Sequence, residues 1–210
     1  MTDAPLTPDD VARWARVPVA VAVDMGGAEG QIDPAIRPLC PPGAQPRLCA
    51  LAVTARAAPP DFGAVLRALD GVGAGQVLVI DAQGDRDTAM IGDILSGQLR
   101  RQGAAGVVCD GAVRDVATLA GWRDFAVYSR WITPRGPTGA TGTDTGDTVR
   151  IGGVAVSPGD LILGDDDGLI ALTPALARRL IGPAEAKLAR EVEWEAGLAA
   201  GLGAARVFGL

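Results

Sequence analysis

The stretch that decides the fold is residues 91–119, IGDILSGQLRRQGAAGVVCDGAVRDVATL, which reads as helix, strand, helix. Ile91, Leu95 and Leu99 recur at helical spacing with Ile94 beside them, and Gly103 supplies a C-terminal stop. Gly106-Val107-Val108-Cys109-Asp110 follows as a short apolar run of the kind buried strands carry. Gly111 releases it into a turn, and a second helix begins near Arg114. Two helix starts thus fall beside charged residues. A helix start exposes unpaired N–H groups and a partial positive charge, so the turn Gly92-Asp93-Ile94-Leu95 could hold a small carboxylate through its amides. Arg114 adds a forked donor for the same anion. Asp115, with Asp93 acting through water, offers hard oxygens to a magnesium ion. The pattern also has a plain structural reading: an Asp near a helix start commonly caps it, and an Arg-Asp pair is commonly surface electrostatics.

Outward from this stretch the pattern alternates. Leu48 to Ala55 reads as a core strand, and Phe62, Val65, Leu66 and Leu69 have helical spacing before the breakers Gly71, Gly73 and Gly75. Gln76 to Asp81, QVLVID, is a buried strand that ends on an acid. Such alternation argues for an α/β fold with helices covering a sheet. Ligands in these folds gather beyond the carboxyl ends of strands, where Asp81 and Asp110 would lie, although a turn role suffices for Asp81. Phe125 to Ser129 is the next strand. Residues 133–147 are glycine-rich but lack the Gly-Lys-Ser/Thr of a phosphate loop, so they read as a surface loop, with a rim over a site as the alternative.

Val149 to Leu172 alternates strand and turn signals up to Thr173-Pro174. Asp165-Asp166-Asp167-Gly168 lacks the calcium-loop spacing and its distal Glu, and reads as a turn. From Pro174 a stripe of Ala177, Leu180, Ile181, Ala184, Leu188 and Val192 predicts an amphipathic helix, with Glu185, Glu191, Glu193 and Glu195 mostly on its polar side. At the other end, Thr7 or Asp9 caps a short helix within residues 1–16, Val17 to Val23 suits a strand or a buried turn, and Pro34 to Pro46 is an irregular loop.

Composition narrows the chemistry. A chain of 210 residues supports one domain with a full core. A net charge of −6 without a basic patch argues against nucleic acid, and no long apolar run or signal-like start argues for a membrane, which leaves the cytoplasm as the expectation. Cys40, Cys49 and Cys109 lack metal or disulfide spacing and read as reduced thiols. Histidine is absent, which removes Ser-His-Asp and Cys-His nucleophiles and His-based zinc sites. Lys187 is the only lysine, so a Schiff-base mechanism would have to recruit that one remote residue.

The order Gly92-Asp93, Asp110-Gly111 and Arg114-Asp115 resembles the signature of the RraA-like family, which includes 4-hydroxy-4-methyl-2-oxoglutarate aldolases. The likeness continues through Gly152-Gly153-Val154-Ala155-Val156-Ser157-Pro158-Gly159-Asp160 and the Asp165-Asp166-Asp167-Gly168 turn, and runs from Asp61 to Gly201. Two features depart from it: Asp24-Met25-Gly26-Gly27 stands where members usually carry a Ser/Thr-Asp-Ala helix, and the Gly-Pro that commonly introduces the core strand is missing.

The resemblance implies a single-domain α/β fold of the β/β/α swivelling type over residues 1–210, with a C-terminal helical segment from residue 174. It implies a homotrimer or homohexamer with sites between subunits, one of the C-terminal glutamates being a candidate to complete a neighbour's site. The implied activity is a carbon–carbon lyase: a divalent-metal-dependent aldolase or decarboxylase that releases pyruvate from 2-oxo acids such as 4-hydroxy-4-methyl-2-oxoglutarate or oxaloacetate through an enolate. On that reading Arg114 stabilises the enolate and Asp93 positions a water that relays the proton. Gly92, Ile94, Leu95 and Arg114 bind the substrate, and Asp115 holds Mg2+, Mn2+ or another divalent cation, directly or through its water shell. RraA itself is an inhibitor that binds RNase E, so the same resemblance also allows a regulator of a ribonuclease without catalytic activity. Some relatives carry a demethylmenaquinone methyltransferase name, but no glycine-rich strand-loop-helix with a following acid offers a methyl-donor site.

Overall fold

The computed structural model describes residues 4–209; residues 1–3 and 210, at the ends of the expected domain, lie outside them. Thr7 accepts the Asp10 amide while the Asp10 carboxylate takes the Thr7 amide, a reciprocal cap that starts α1 (Pro8–Trp14). Of the two candidate caps, Thr7 is the one used. Residues 17–23, expected as a strand or buried turn, instead mostly belong to the helix α2 (Val19–Gly26). Valine's strand preference is weak against tertiary context: Val19, Val21 and Ala22 are buried in one cluster with Leu176, Leu180 and Ile181, and Gly27 closes the helix at φ 61.

The loop at 34–46 contributes only the two-residue strand β1 (Arg37–Pro38). The expected alternation then follows as β2 (Leu48–Arg56), α3 (Gly63–Leu69), β3 (Gln76–Asp81), β4 (Ala89–Ile91), α4 (Asp93–Arg101), β5 (Gly106–Val113), α5 (Val116–Leu119) and β6 (Ala126–Ile132). β2, β3, β5 and β6 pair in parallel, and β4 pairs with β5 beyond the end of β3. Parallel neighbours need crossover connections, which α3, α4 and α5 supply. Two local expectations are corrected here. Ile91 ends a strand and does not open the helix. Gly111 makes no turn, because β5 runs through it to Val113; its bare Cα admits a neighbour, since a Cβ there would lie 2.6 Å from that of Ala82.

β7 (Val149–Ile151) and β8 (Val154–Val156) form a separate hairpin, while β9 (Leu161–Asp165) and β10 (Gly168–Leu172) extend the main sheet through antiparallel pairing of β9 with β2. The eight-stranded sheet runs β1-β6-β5-β3-β2-β9-β10 with β4 beside β5. It curls into a nearly closed barrel. The Tyr128 hydroxyl of β6 donates to the Asp165 carbonyl at the end of β9, with three strands between them in that order, and a Cβ on Gly164 would stand 2.7 Å from the same hydroxyl. Burial pushes the Tyr128 phenol well above its ordinary value, so it stays a neutral donor. Val77, Val79, Val108 and Tyr128 pack inside this curl with Ile151 and Val156 of the hairpin. Leu78, Ile80, Val107 and Cys109 face outward onto α3, α4 and α5.

Thr173 caps α6 (Pro174–Ala199) by accepting the Leu176 amide. The predicted stripe holds only for its first half: Ala177, Leu180, Ile181 and Ala184 are buried, Leu188 is partly buried, and Val192 is 67% exposed. Pro183 interrupts the backbone ladder near the point where the helix leaves the body. The short α7 (Ala204–Phe208) folds back so that Phe208 meets Trp194. No helix among the described residues is long and apolar enough to cross a membrane.

Asp110, expected beside a ligand at a strand end, is committed inside the protein, and Asp81 takes the turn role expected for it. Asp110 accepts from Arg130 and from the Gly152 amide, both at 2.6 Å, and Asp81 accepts the Gln83 and Arg150 amides. β5 continues past Asp110, which is why this residue does not reach the strand end. The two carboxylates seat the β7–β8 hairpin on the sheet. Because the side chains of Asp110 and Arg130 are only 10% and 16% exposed, removing one partner strands the other. Asp110→Ala is expected to cost about 3–5 kcal/mol in urea unfolding, whereas a surface change such as Asp87→Ala should leave the midpoint unmoved.

Candidate active site

β4 and β5 deliver the two halves of the site side by side, because the Arg114 amide donates to the Ile91 carbonyl at 3.1 Å just where both strands end. Gly92 then opens α4 without a side chain to cap it. The cap comes from across the gap. Asp115 stands at φ 59, a left-handed conformation that costs a non-glycine residue on the order of 1–3 kcal/mol and is concentrated at functional sites. Its Oδ2 accepts the Asp93 amide at 3.1 Å and lies 3.4 Å from Arg114 Nε. Asp115 therefore precedes α5 but gives its carboxylate to α4. Gly92 is required by proximity: a Cβ there would overlap Asp115 Oδ2 and stand 2.9 Å from Arg114 Cγ.

All the residues expected at the site line one cleft. Gly92, Asp93, Ile94, Leu95, Arg114 and Asp115 border it together with Phe62, Ala89, Met90, Ile91 and Pro137. Its cavity volume is about 50 Å³, enough for a carboxylate or one or two waters. The Ile94 and Leu95 amides, in the first turn of α4, have no hydrogen-bond partner among the described residues. The Asp93 carboxylate is likewise unengaged among them, only its amide being used. The Arg114 and Asp115 side chains are 41% and 37% exposed, so the pair adds little stability while remaining open to a ligand.

The sequence reading did not anticipate Phe62, Pro137 or Gly136. The loop at 133–147 is the rim of the site and not a plain surface loop: Pro137 lines the cleft, and a Cβ on Gly136 would overlap Arg114 Nη1. A Gly-Pro pair in Pro134-Arg135-Gly136-Pro137 was the available signal, but nothing in the local pattern told which side chain it would face.

Other chemistries find no footing. Burial raises the Cys40 thiol, pushes Cys49 up to about 11 and carries Cys109 higher still, so none is a ready thiolate. Lys187 is paired with Asp24 and Glu191, which raise its pKa and keep it charged, in a different groove beside Met25 and Trp194. No three His, Cys, Asp or Glu side chains among the described residues gather into a metal cage. Magnesium needs less than a cage, since it keeps several waters and takes one or two carboxylates plus substrate oxygens. Asp115 and the unengaged Asp93 fit that kind of hydrated site.

Comparison with known proteins identifies the family. The sequence pattern of the RraA-like family, described as Aldolase/RraA, matches residues 9–171. A protein of Halalkalibacterium halodurans named "Putative 4-hydroxy-4-methyl-2-oxoglutarate aldolase" is 31% identical over 186 residues, covering 86% of this chain and 84% of that one. Among solved structures, an uncharacterized protein from Pseudomonas syringae pv. tomato superposes with a TM-score of 0.83 at 23% identity, over 98% of this chain and 99% of the other, and shares the fold. RraAS2 of Streptomyces coelicolor, described as an unusual member of the RNase ES inhibitor RraA protein family, follows at TM-score 0.76 and 25% identity, over 90% of this chain and 96% of its own. The family pattern includes the divergent segment around Asp24, which forms a helix after all. With the fold, the Gly92-Asp93 and Arg114-Asp115 pairing and these matches in agreement, the chain belongs to the RraA-like family.

Proposed function

We propose that the protein is a divalent-metal-dependent lyase that cleaves 2-oxo acids of the 4-hydroxy-4-methyl-2-oxoglutarate or oxaloacetate type to release pyruvate. The observation that carries this reading is the convergence of Arg114, two unpartnered amides of α4 and the Asp93 and Asp115 carboxylates on one recess of carboxylate size. The aldolase name of the Halalkalibacterium halodurans relative supports it.

In this mechanism the substrate carboxylate sits on the Ile94 and Leu95 amides, where the helix start favours an anion. Arg114 donates to the 2-oxo oxygen, on which negative charge grows as the carbon–carbon bond breaks, so its interaction strengthens toward the transition state. Asp115 holds the guanidinium and the α4 start together. A magnesium or manganese ion held by Asp115 through water would supply Lewis-acid polarisation of the same carbonyl. Asp93, whose carboxylate is unengaged, orients a water that carries the proton between solvent and the nascent pyruvate. Phe62, Met90 and Pro137 keep the inner wall apolar, which strengthens each of these electrostatic contacts.

The recess is small and one side is open, so a whole substrate would extend beyond it. Ile94, Ile132 and Trp131 are 74%, 61% and 45% exposed; Ile94 lines the cleft and the other two end β6 next to β5. Such large apolar groups beside a polar site favour an adjoining subunit as the missing wall, in a homotrimer or homohexamer.

A regulatory reading is supported by the likeness to the RNase ES inhibitor family member of Streptomyces coelicolor. Capture of a ribonuclease by the pure protein, together with no pyruvate from either substrate, would favour it over catalysis.

Three outcomes test the lyase. Arg114→Ala should lose about 10²–10³ in rate on both substrates in parallel, and EDTA should abolish pyruvate release that added magnesium restores; activity that survives either would refute the assignment of roles. Gly92→Ala should lower activity by about tenfold or more, through displacement of Arg114 and Asp115, with little change in far-UV circular dichroism. Ile132→Glu should shift sedimentation from a trimer or hexamer toward monomer and reduce pyruvate release in step.

A further inference from the structure

Asp61 lies outside every role assigned so far, yet it is the most heavily bonded carboxylate near the cleft. Oδ1 accepts the Gly63 amide at 2.8 Å and the Gly142 amide at 2.9 Å; Oδ2 accepts the Thr141 amide and hydroxyl, both at 2.7 Å. These four donors hold its carboxyl well below the usual carboxylate range, the Thr141 amide contributing most. The bonds link two segments. One is the entry to α3, where the next residue, Phe62, lines the cleft. The other is the rim loop.

The rim loop has no regular secondary structure of its own. Near the cleft its path is set by Asp61, by the Arg67 guanidinium on the Gly142 carbonyl, by the Phe62 amide on the Gly139 carbonyl, by the Thr138 amide on the Pro60 carbonyl, and toward its start by the Ala89 amide on the Arg135 carbonyl, while β2 holds its later part at Asp144 and Gly146. Close approach leaves no slack: a Cβ on Gly139 would lie 2.7 Å from Asp61 Oδ2, and one on Gly63 would lie 2.5 Å from the Gly142 nitrogen. Gly136 and Pro137 occupy the span between these anchors. There a Cβ on Gly136 would overlap Arg114 Nη1, so a side chain at this position would have to displace the guanidinium.

We propose that Asp61 is a positioning residue: by folding the loop at 138–142 it holds Gly136 against Arg114 and fixes the direction in which the guanidinium donates. This rests on the reading that Arg114 meets the substrate, but the mechanical coupling it asserts can be measured without turnover. Labelling of arginines with phenylglyoxal, located by peptide mass spectrometry, reads the freedom of Arg114 directly. In the full-length protein, Asp61→Ala should label several-fold faster at Arg114 and at an unchanged rate at Arg178, which is held by the Ala4 and Pro5 carbonyls. Asp61→Asn, which keeps one acceptor oxygen, should fall between. In steady-state assays Asp61→Ala should lower kcat by about 10–100-fold with KM nearly constant, and should cost nothing further in an Arg114→Ala background. Where Asp61→Ala fails to fold, Thr141→Ala removes one of the two donors to Oδ2 and carries the same labelling test. Unchanged labelling of Arg114 in the folded variants, or losses that multiply with Arg114→Ala, would overturn the inference. A wild-type protein that releases no pyruvate would refute the proposed function while the labelling still decides the coupling.

Discussion

The Asp115 carboxylate reaching across to the first amide of α4 is the contact on which the site depends. It joins the end of one strand to the start of a helix that follows a different strand, and it does so at 3.1 Å only because Gly92 has no side chain to hold them apart. The left-handed turn at Asp115 is the cost of that reach. Asp115 fills the place of the cap that Gly92 cannot provide, so one helix start is held by a residue that can also face a cation. Arg114, beside it in the chain, is carried to the same spot. The arrangement gathers opposite charges around a helix start whose Ile94 and Leu95 amides are free among the described residues, in a chain that has neither histidine nor an available amine.

Several other acidic residues of this chain act as backbone staples. Asp61 folds the rim loop, Asp81 and Asp110 seat the hairpin, and Asp165 takes the Val19 amide to hold the start of α2. A carboxylate that accepts backbone amides in this way is spent structurally. Asp93 differs from these in having an unengaged carboxylate, and Asp115 in having a half-exposed one. That contrast, more than the count of acids, separates the candidate chemistry from the scaffold.

Much of this was legible in residues 91–119, because helical spacing and the apolar run at 106–109 are local signals. The parallel strands and their covering helices followed from the same alternation. What failed was also local in origin. Residues 17–23 look like a strand by composition and fold as a helix because α6 offers an apolar face to pack on. Gly111 looks like a turn and is a close approach inside β5. Val192 continues the helical stripe in sequence, but the body it would cover ends before it. Phe62, Gly136 and Asp61 escaped notice because their roles exist only once two distant segments meet, and one sequence carries no record of that meeting.

The most direct test of the central claim is a crystal soaked with oxalate, a planar mimic of the pyruvate enolate, and magnesium. The account predicts oxalate in the cleft, with one carboxylate on the Ile94 and Leu95 amides and its oxygens within hydrogen-bond reach of the Arg114 guanidinium, and the cation on the Asp115 side. Oxalate bound elsewhere, or a cleft that stays free of it while Arg114 keeps its contact with Asp115 alone, would contradict it.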